Sequence, residues 1–290
     1  MSGLFERLSG QRPPPLWRRG ARMYRFMAGI ALLLACGYRG SCGSPSGRLL
    51  EKMRAGRITR PGLAYGLAYR LYVPPNYDPA KKYPLLLFLH GSGARGDDNR
   101  QQVGEELAHF AAALQALEPV FVLAPQCPRS DKWVSGGRKA PFLNYRVGDR
   151  AESDANKLVL ALLDDLGRQY SLDDDRLYVS GYSSGAAGTW DLLLRRPSHP
   201  FAAAVPVTGT NDPQRAARVA SLPLWVFHGS ADALSPVDNA REMVSALQRL
   251  GSAVRYTEYA EVGHGTLGLA YREADLPRWL LGQRRTPPRP

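Results

Sequence analysis

A strand-length apolar run leads directly into a serine flanked by glycines: Arg176-Leu177-Tyr178-Val179-Ser180-Gly181-Tyr182-Ser183-Ser184-Gly185. Helical patterning follows as far as residue 195. A serine on a sharp turn between a strand and a helix needs small neighbours where the two elements approach each other, and Gly181 and Gly185 meet that need. Such a turn also holds the serine hydroxyl near a helix N-terminus, where negative charge is favoured. We therefore predict that Ser183 is a nucleophile.

Around this turn, short apolar runs alternate with longer amphipathic segments. Strands are predicted over residues 67–73, 84–89, 120–124, 176–180, 202–207, 222–227 and 255–259, and helices over 102–117, 151–170, 184–195, 236–250 and 267–281. Parallel strands need crossover connections, so this alternation predicts an α/β domain with a mostly parallel sheet and helices on both faces. No insertion is long enough to form a large cap domain.

A second glycine turn, His90-Gly91-Ser92-Gly93, follows the predicted strand 84–89. In an acyl-transfer enzyme a loop at this place aims a backbone N–H at the oxyanion, together with the N–H of the residue after the nucleophile. The predicted donors are therefore the backbone amides of Ser92 and Ser184. The alternative is a plain glycine turn after a strand.

A serine nucleophile requires a base and an acid that orients the base. Of the five histidines, His264 is on a glycine-containing loop after the last predicted strand. Asp232 follows the strand 222–227 and is the predicted acid, with Asp212 as its rival and a helix-capping or turn role as the alternative. The order Ser183, Asp232, His264 along the chain agrees with the α/β-hydrolase order.

Over residues 60–282 the chain resembles α/β-hydrolases known as predicted peptidases, phospholipase/carboxylesterase-like proteins and polyhydroxyalkanoate-depolymerase-like esterases. The resemblance depends on Tyr69-Arg70-Leu71-Tyr72-Val73-Pro74-Pro75-Asn76-Tyr77, Leu89-His90-Gly91-Ser92-Gly93, Ala124-Pro125-Gln126-Cys127-Pro128, Gly188-Thr189-Trp190, Phe227-His228-Gly229-Ser230-Ala231-Asp232 and Val262-Gly263-His264. It implies an α/β-hydrolase fold and the same nucleophile, acid and base. Ser184 and Ala186 depart from the methionine and second glycine common in relatives, and Gly265-Thr266-Leu267 lacks a frequent acidic residue, so substrate preference is open.

The basic character of the chain belongs to its ends. The net charge is +12, but residues 1–60 hold 12 Lys and Arg against two acidic residues, and Arg284, Arg285 and Arg289 lie in the last seven positions. The segment between is close to neutral and has no aromatic-basic stripe or zinc-ligand spacing. Nucleic acid is therefore not an expected partner, and no metal or cofactor is predicted.

The N-terminal region has the pattern of an export signal. An apolar stretch at residues 26–35 follows four arginines and ends at Leu33-Leu34-Ala35-Cys36, which resembles a lipoprotein cleavage box with Cys36 as the acylated residue. We predict a signal over 1–36, a linker over 37–60, a catalytic domain over 61–283 and a disordered tail over 284–290. The expected location is periplasmic, secreted or membrane-anchored through Cys36, with a buried helix or a chance apolar run as the alternative.

The predicted function is hydrolysis of a small or polymeric carboxylic ester by a serine hydrolase. Tyr182, beside the nucleophile, and Trp133, in a glycine-containing loop, are predicted to contact the substrate. Two alternatives stay open: a serine peptidase acting on short peptides, which also requires protonation of a poor leaving group, and a non-catalytic binding protein on the same fold.

Overall fold

One twisted sheet of eight strands organises the described part of the chain. The structure, a computed structural model, describes residues 43–136, 142–196 and 198–285. The strands are β1 Arg54–Ile58, β2 Leu67–Tyr72, β3 Tyr83–Leu89, β4 Phe121–Gln126, β5 Leu172–Tyr182, β6 Ala203–Val207, β7 Trp225–Gly229 and β8 Arg255–Tyr259. The α-helices are α1 Pro45–Lys52, α2 Glu105–Gln115, α3 Asp154–Gln169, α4 Ser184–Arg195, α5 Asp238–Arg249, α6 Leu267–Ala270 and α7 Leu276–Leu281, and short 3-10 helices span Ser92–Ala94, Val147–Asp149 and Pro213–Val219.

The strand order is β1-β2-β4-β3-β5-β6-β7-β8. Strand β2 is antiparallel to both of its neighbours, and every other pairing is parallel. The carboxyl ends of β3, β5, β6, β7 and β8 therefore lie along one edge of the sheet. This is the edge at which open α/β sheets bind their ligands.

The sheet separates two apolar cores. Along β3, Leu85, Leu87 and Leu89 pack into one core with α3, α4 and α5, and Leu86 and Phe88 pack into the other with α2 and α7. Successive side chains of a strand point to opposite faces, and β3 is buried along its whole length because both faces are covered. The prediction of a mostly parallel sheet with helices on both faces is confirmed.

Two sequence predictions about element boundaries are wrong. The linker predicted over 37–60 contains α1 and β1, so the folded domain begins earlier than residue 61. Strand β1 reads Arg-Ala-Gly-Arg-Ile, with no apolar alternation to reveal it, and its exposed arginines suit a sheet edge. The helix predicted over 267–281 is divided into α6 and α7 because Pro277, in the first turn of α7, cannot donate a hydrogen bond to the preceding turn.

The predicted export signal, Cys36 and residues 286–290 lie outside the described residues. Residues 284 and 285, assigned to a disordered tail, do make contacts: Arg284 lies 3.4 Å from Asp173, and the Arg285 N–H donates to the Asp175 carbonyl. No helix within the described ranges is long and apolar enough to span a bilayer.

Candidate active site

Ser183 occupies the turn between β5 and α4. Its φ angle is 54°, in the left-handed region that residues other than glycine rarely adopt. A Cβ on Gly181 would lie 2.2 Å from the Gly185 carbonyl oxygen, and a Cβ on Gly185 would lie 1.9 Å from the Leu89 carbonyl oxygen. Both glycines are therefore required for strand, turn and helix to come this close. The Ser183 N–H is held by the Val207 carbonyl at 3.0 Å.

The structure brings Ser183, His264 and Asp232 into one hydrogen-bonded relay. Ser183 Oγ lies 2.8 Å from His264 Nε2, and His264 Nδ1 lies 2.8 Å from Asp232 Oδ2. Because a carboxylate only accepts hydrogen bonds, Nδ1 carries the ring proton and Nε2 is free to accept the serine proton. The Asp232 side chain is 0% exposed and that of His264 is 22% exposed, so the acid is inside and the base reaches the surface.

The Asp232 carboxylate is oriented by the backbone. Its Oδ1 accepts hydrogen bonds from the N–H groups of Leu234 and Ser235, both at 2.9 Å, which leaves Oδ2 for His264. The rival Asp212 is occupied elsewhere: it accepts from the Val147 N–H at 2.8 Å and pairs with arginine side chains. Asp212 is therefore not part of the relay.

The loops that carry the acid and the base are joined to each other. The Ala231 N–H donates to the Val262 carbonyl at 2.9 Å, and the Ser230 N–H donates to the Tyr259 carbonyl at 2.9 Å. A Cβ on Gly229 would lie 2.3 Å from the Val262 carbonyl oxygen, so this contact needs glycine. These contacts fix the distance between the ends of β7 and β8.

Tyr182 contacts the loop that carries His264. Its hydroxyl donates to the His264 carbonyl at 2.8 Å. The side chain lines a depression beside Gly91 and Leu267, and it is absent from the wall of the cavity that contains the Ser183 hydroxyl. The contact that the structure shows for Tyr182 is this hydrogen bond, and its predicted contact with the substrate stays a prediction.

The loop after β3 is fixed by His90 and Trp133. His90 Nδ1 donates to the Gly91 carbonyl at 2.7 Å, and Nε2 accepts from the Cys127 N–H at 3.0 Å. Burial lowers the pKa of His90 to about 4, so the ring is neutral at pH 7. Trp133 Nε1 donates to the His90 carbonyl at 2.9 Å. Sequence reasoning assigned His90 only to the glycine turn; its place at the end of a buried strand is the signal of a structural role.

A cavity of about 280 Å³ opens beside Ser183. Its lining includes Ser92, Ser184 and Trp133, whose predicted roles stay predictions. The backbone amides of Ser92 and Ser184 have no backbone acceptor among the described residues. They are therefore available to an oxyanion. Trp133 is fully buried, and its predicted contact with the substrate stays a prediction.

His228 was not predicted to act at the site, yet it lies directly behind the acid. Its Nε2 donates to the Ser235 carbonyl at 2.8 Å and lies 3.5 Å from Asp232 Oδ2. Burial lowers the pKa of His228, which keeps the ring neutral beside the carboxylate. The remaining histidines, His109 and His199, are outside the relay. No group of three or more His, Cys, Asp or Glu side chains in the described ranges is arranged to hold a metal ion.

Solved structures of hydrolases share this fold. A thermostable esterase is 34% identical with a TM-score of 0.74, and the match covers 82% of this chain and 64% of that chain. A feruloyl esterase module from Clostridium thermocellum is 16% identical with a TM-score of 0.58, and the match covers 86% of this chain and 95% of that chain. An acylaminoacyl peptidase from Pyrococcus horikoshii is 16% identical with a TM-score of 0.56, and the match covers 81% of this chain and 41% of that chain. No family model matches the sequence.

The strand order and these matches establish the class of protein. The chain belongs to the α/β-hydrolase superfamily. It spans about two thirds of the thermostable esterase, and its matches include esterases and peptidases alike. The narrower resemblance to predicted peptidases and polyhydroxyalkanoate-depolymerase-like esterases stays a prediction.

Proposed function

We propose that this chain is a serine hydrolase that cleaves carboxylic esters through an acyl-enzyme intermediate. The observation that carries the proposal is the continuous relay from the Ser183 hydroxyl through His264 to the buried Asp232 carboxylate, with both links at 2.8 Å. A relay of this geometry makes a hydroxyl nucleophilic at neutral pH.

In the acylation step, Ser183 Oγ attacks the ester carbonyl carbon as its proton moves to His264 Nε2. Asp232 stabilises the imidazolium that forms, and the backbone N–H groups of Ser92 and Ser184 bind the oxyanion. When the tetrahedral intermediate collapses, the carbon–oxygen bond to the alcohol breaks and the proton on Nε2 passes to the departing alcohol. The acyl group is then attached to Ser183.

In the second step, water replaces the alcohol. His264 Nε2 accepts a proton from the water as its oxygen attacks the acyl carbon, and the same proton returns to Ser183 Oγ when the carboxylic acid leaves. The His264 side chain is 22% exposed, so water can reach the ring. Each turnover thus consumes one ester and one water and returns the relay to its starting protonation state.

Two arguments favour an ester over a peptide bond. An amine leaving group must be protonated as it departs, which makes amide cleavage the more demanding reaction. The 34% identical structure is an esterase, whereas the peptidase quoted above is 16% identical and is matched over 41% of its length.

Hydrolysis of 4-nitrophenyl acetate and butyrate beside a panel of peptide 4-nitroanilides tests the proposal. We expect ester turnover that Ser183→Ala abolishes, and labelling of Ser183 by a fluorophosphonate. Ser171→Ala is the matched control, because it removes a hydroxyl just before β5, at the opposite edge of the sheet. Turnover of peptides alone would replace the esterase with a peptidase. Failure of both turnover and labelling would leave a binding protein.

We also propose export of the chain, with membrane attachment through a lipid on Cys36. The supporting observation is the apolar stretch that ends in Leu33-Leu34-Ala35-Cys36. In a bacterial host, the full-length chain should fractionate with membranes and Cys36→Ser should not. Equal distribution of the two proteins would contradict lipidation.

A further inference from the structure

The described residues that line the cavity beside Ser183 carry charge of one sign only. The charged ones are Arg95, Lys132 and Arg150, and no Asp or Glu of the described ranges is among them. The same cavity contains the Ser183 hydroxyl and the oxyanion loop. Three positive charges therefore surround the place where a substrate would lie.

Within the described ranges, Arg95 and Arg150 make their contacts with uncharged groups. Arg95 donates to the carbonyl oxygen of Asp131 at 3.1 Å, and Arg150 donates to those of Ser135 and Gly136 at 2.8 Å and 2.6 Å. Carbonyl oxygens satisfy N–H groups but carry no net charge. Within the described ranges, none of the three cations has a carboxylate oxygen within ion-pairing distance.

The carboxylate of Asp131, which is next to Lys132 in the sequence, is bound by other groups. Asp131 accepts hydrogen bonds from the Tyr65 hydroxyl, from the Lys132 backbone N–H at 2.7 Å and from the Ala155 backbone N–H at 3.3 Å. Its oxygens are therefore used in fixing the loop, and they form no ion pair with Lys132 among the described contacts.

A neighbouring depression of about 950 Å³ provides a contrast. It shares Arg150 with the Ser183 cavity, and its wall also contains Asp149 and Glu242. Both signs of charge are present there. Acidic side chains thus lie beside the arginines of that depression, whereas the described lining of the Ser183 cavity contains none.

We propose that the substrate carries a carboxylate group within reach of Arg95, Lys132 and Arg150, so that the ester cleaved is an anionic one. This inference depends on the proposed function. Like charges around a concave site focus the field and attract an oppositely charged substrate. Each guanidinium has five N–H donors, and those of Arg95 and Arg150 that do not bind backbone carbonyls can form charge-assisted bonds to a carboxylate.

The size and lining of the cavity further restrict which substrates fit. A volume of about 280 Å³ is at the lower limit for small-molecule sites. Phe142 and Val134 add apolar side chains to the lining that holds the cations and Ser183. A short hydrocarbon spacer between ester and carboxylate fits this combination.

Matched pairs of substrates test the inference. Mono-4-nitrophenyl adipate and 4-nitrophenyl adipamate share leaving group and size and differ only in a terminal carboxylate or carboxamide. The pair 4-acetoxybenzoate and 4-acetoxybenzamide places the same difference on the alcohol side. We expect kcat/KM for the anion to exceed that for the amide by at least about tenfold in one of the pairs at low salt. The ratio should fall toward one in 1 M KCl, where the screening length is about 3 Å.

Variants assign the effect to the cavity. Lys132→Met and Arg150→Gln should each lower the anion-to-amide ratio several-fold. Lys81→Met is the matched control: it removes an equally positive side chain that is 72% exposed beside the amino end of β3, and the ratio should not change. A ratio that is high in wild type but unchanged in both cavity variants would overturn the inference.

The substrate pairs also separate this inference from the proposed function. Ser183-dependent hydrolysis of both members at equal rates would reject the anionic substrate and leave the esterase intact. Absence of hydrolysis for every ester would overturn both.

Discussion

Replacing Asp232 by asparagine changes one atom of the relay, and the structure dictates how the new side chain must lie. Oδ1 accepts hydrogen bonds from the N–H groups of Leu234 and Ser235. The amide oxygen of asparagine has to take this place, because an NH₂ group there would face two donors and leave both without an acceptor. The asparagine NH₂ then points at His264 Nδ1, where the wild-type carboxylate accepts at 2.8 Å.

The consequence is a change of histidine tautomer. Facing a donor, Nδ1 of His264 has to accept, so the ring proton moves to Nε2 and points at Ser183 Oγ. That ring cannot take the serine proton. Turning the asparagine over would restore the tautomer, at a cost of about 1–3 kcal/mol for each unsatisfied backbone N–H. We expect kcat to fall about ten-thousand-fold, which is about 5.4 kcal/mol in activation free energy.

Hydrolysis of 4-nitrophenyl butyrate at saturating substrate measures this loss, with the unfolding midpoint recorded for each protein. Asp212→Asn is the matched control, since Asp212 is equally buried but binds Val147 and Arg146 instead of His264. We expect its kcat to stay within a few-fold of wild type even if its unfolding midpoint falls. An Asp232→Asn enzyme within tenfold of wild type, or an equal loss in Asp212→Asn, would refute the tautomer argument.

Three further predictions concern stability. The pKa of His90 is about 4 in the folded protein against 6.5 for an unperturbed histidine, so the unfolded chain binds the extra proton first as pH falls. The free energy of unfolding should therefore drop by up to about 3 kcal/mol between pH 6.5 and 4. In urea unfolding, the stability of His90→Asn should depend less steeply on pH than that of the wild type. Asp191, fully buried and paired with Arg195 at 2.7 Å, should cost about 3–5 kcal/mol when replaced by alanine, and a loss below 1 kcal/mol in chemical denaturation would contradict the buried-pair argument. Gly185→Ala places a Cβ 1.9 Å from the Leu89 carbonyl and should cost more than the usual 1–3 kcal/mol of overpacking, roughly 3 kcal/mol or above; an unchanged melting temperature would mean that the helix moves away freely.

The relay could be predicted from sequence because its residues are fixed by local chemistry and chain order. The strand-serine-helix turn places Ser183, and the predicted helix 184–195 coincides with α4. Asp232 and His264 follow consecutive strands, and the carboxyl ends of neighbouring parallel strands meet at one edge. The choice of Asp232 over Asp212 needed coordinates for its proof, because both follow apolar strands.

Strand β1 and the contact of Tyr182 could not be predicted from sequence, because both depend on residues that are distant along the chain. Strand β1 has no apolar alternation and is held by pairing with β2. Tyr182 adjoins the nucleophile in sequence, but the strand directs its ring toward the base loop, where its hydroxyl reaches the His264 carbonyl. Successive side chains of a strand point to opposite faces of the sheet. A residue next to the serine in sequence can therefore lie on the other side of the strand end.

The positively charged cavity was the hardest feature to predict from sequence, because Arg95, Lys132 and Arg150 come from three separate loops. Like charges around one concavity repel each other, and the carbonyl contacts of Arg95 and Arg150 bring no negative charge that would remove the repulsion. Neutral side chains of similar length could fill the same space without that repulsion. The fold therefore does not require this repulsion, and a substrate carboxylate would relieve it on binding. The same repulsion predicts that Lys132→Met is no less stable than the wild type in the absence of substrate.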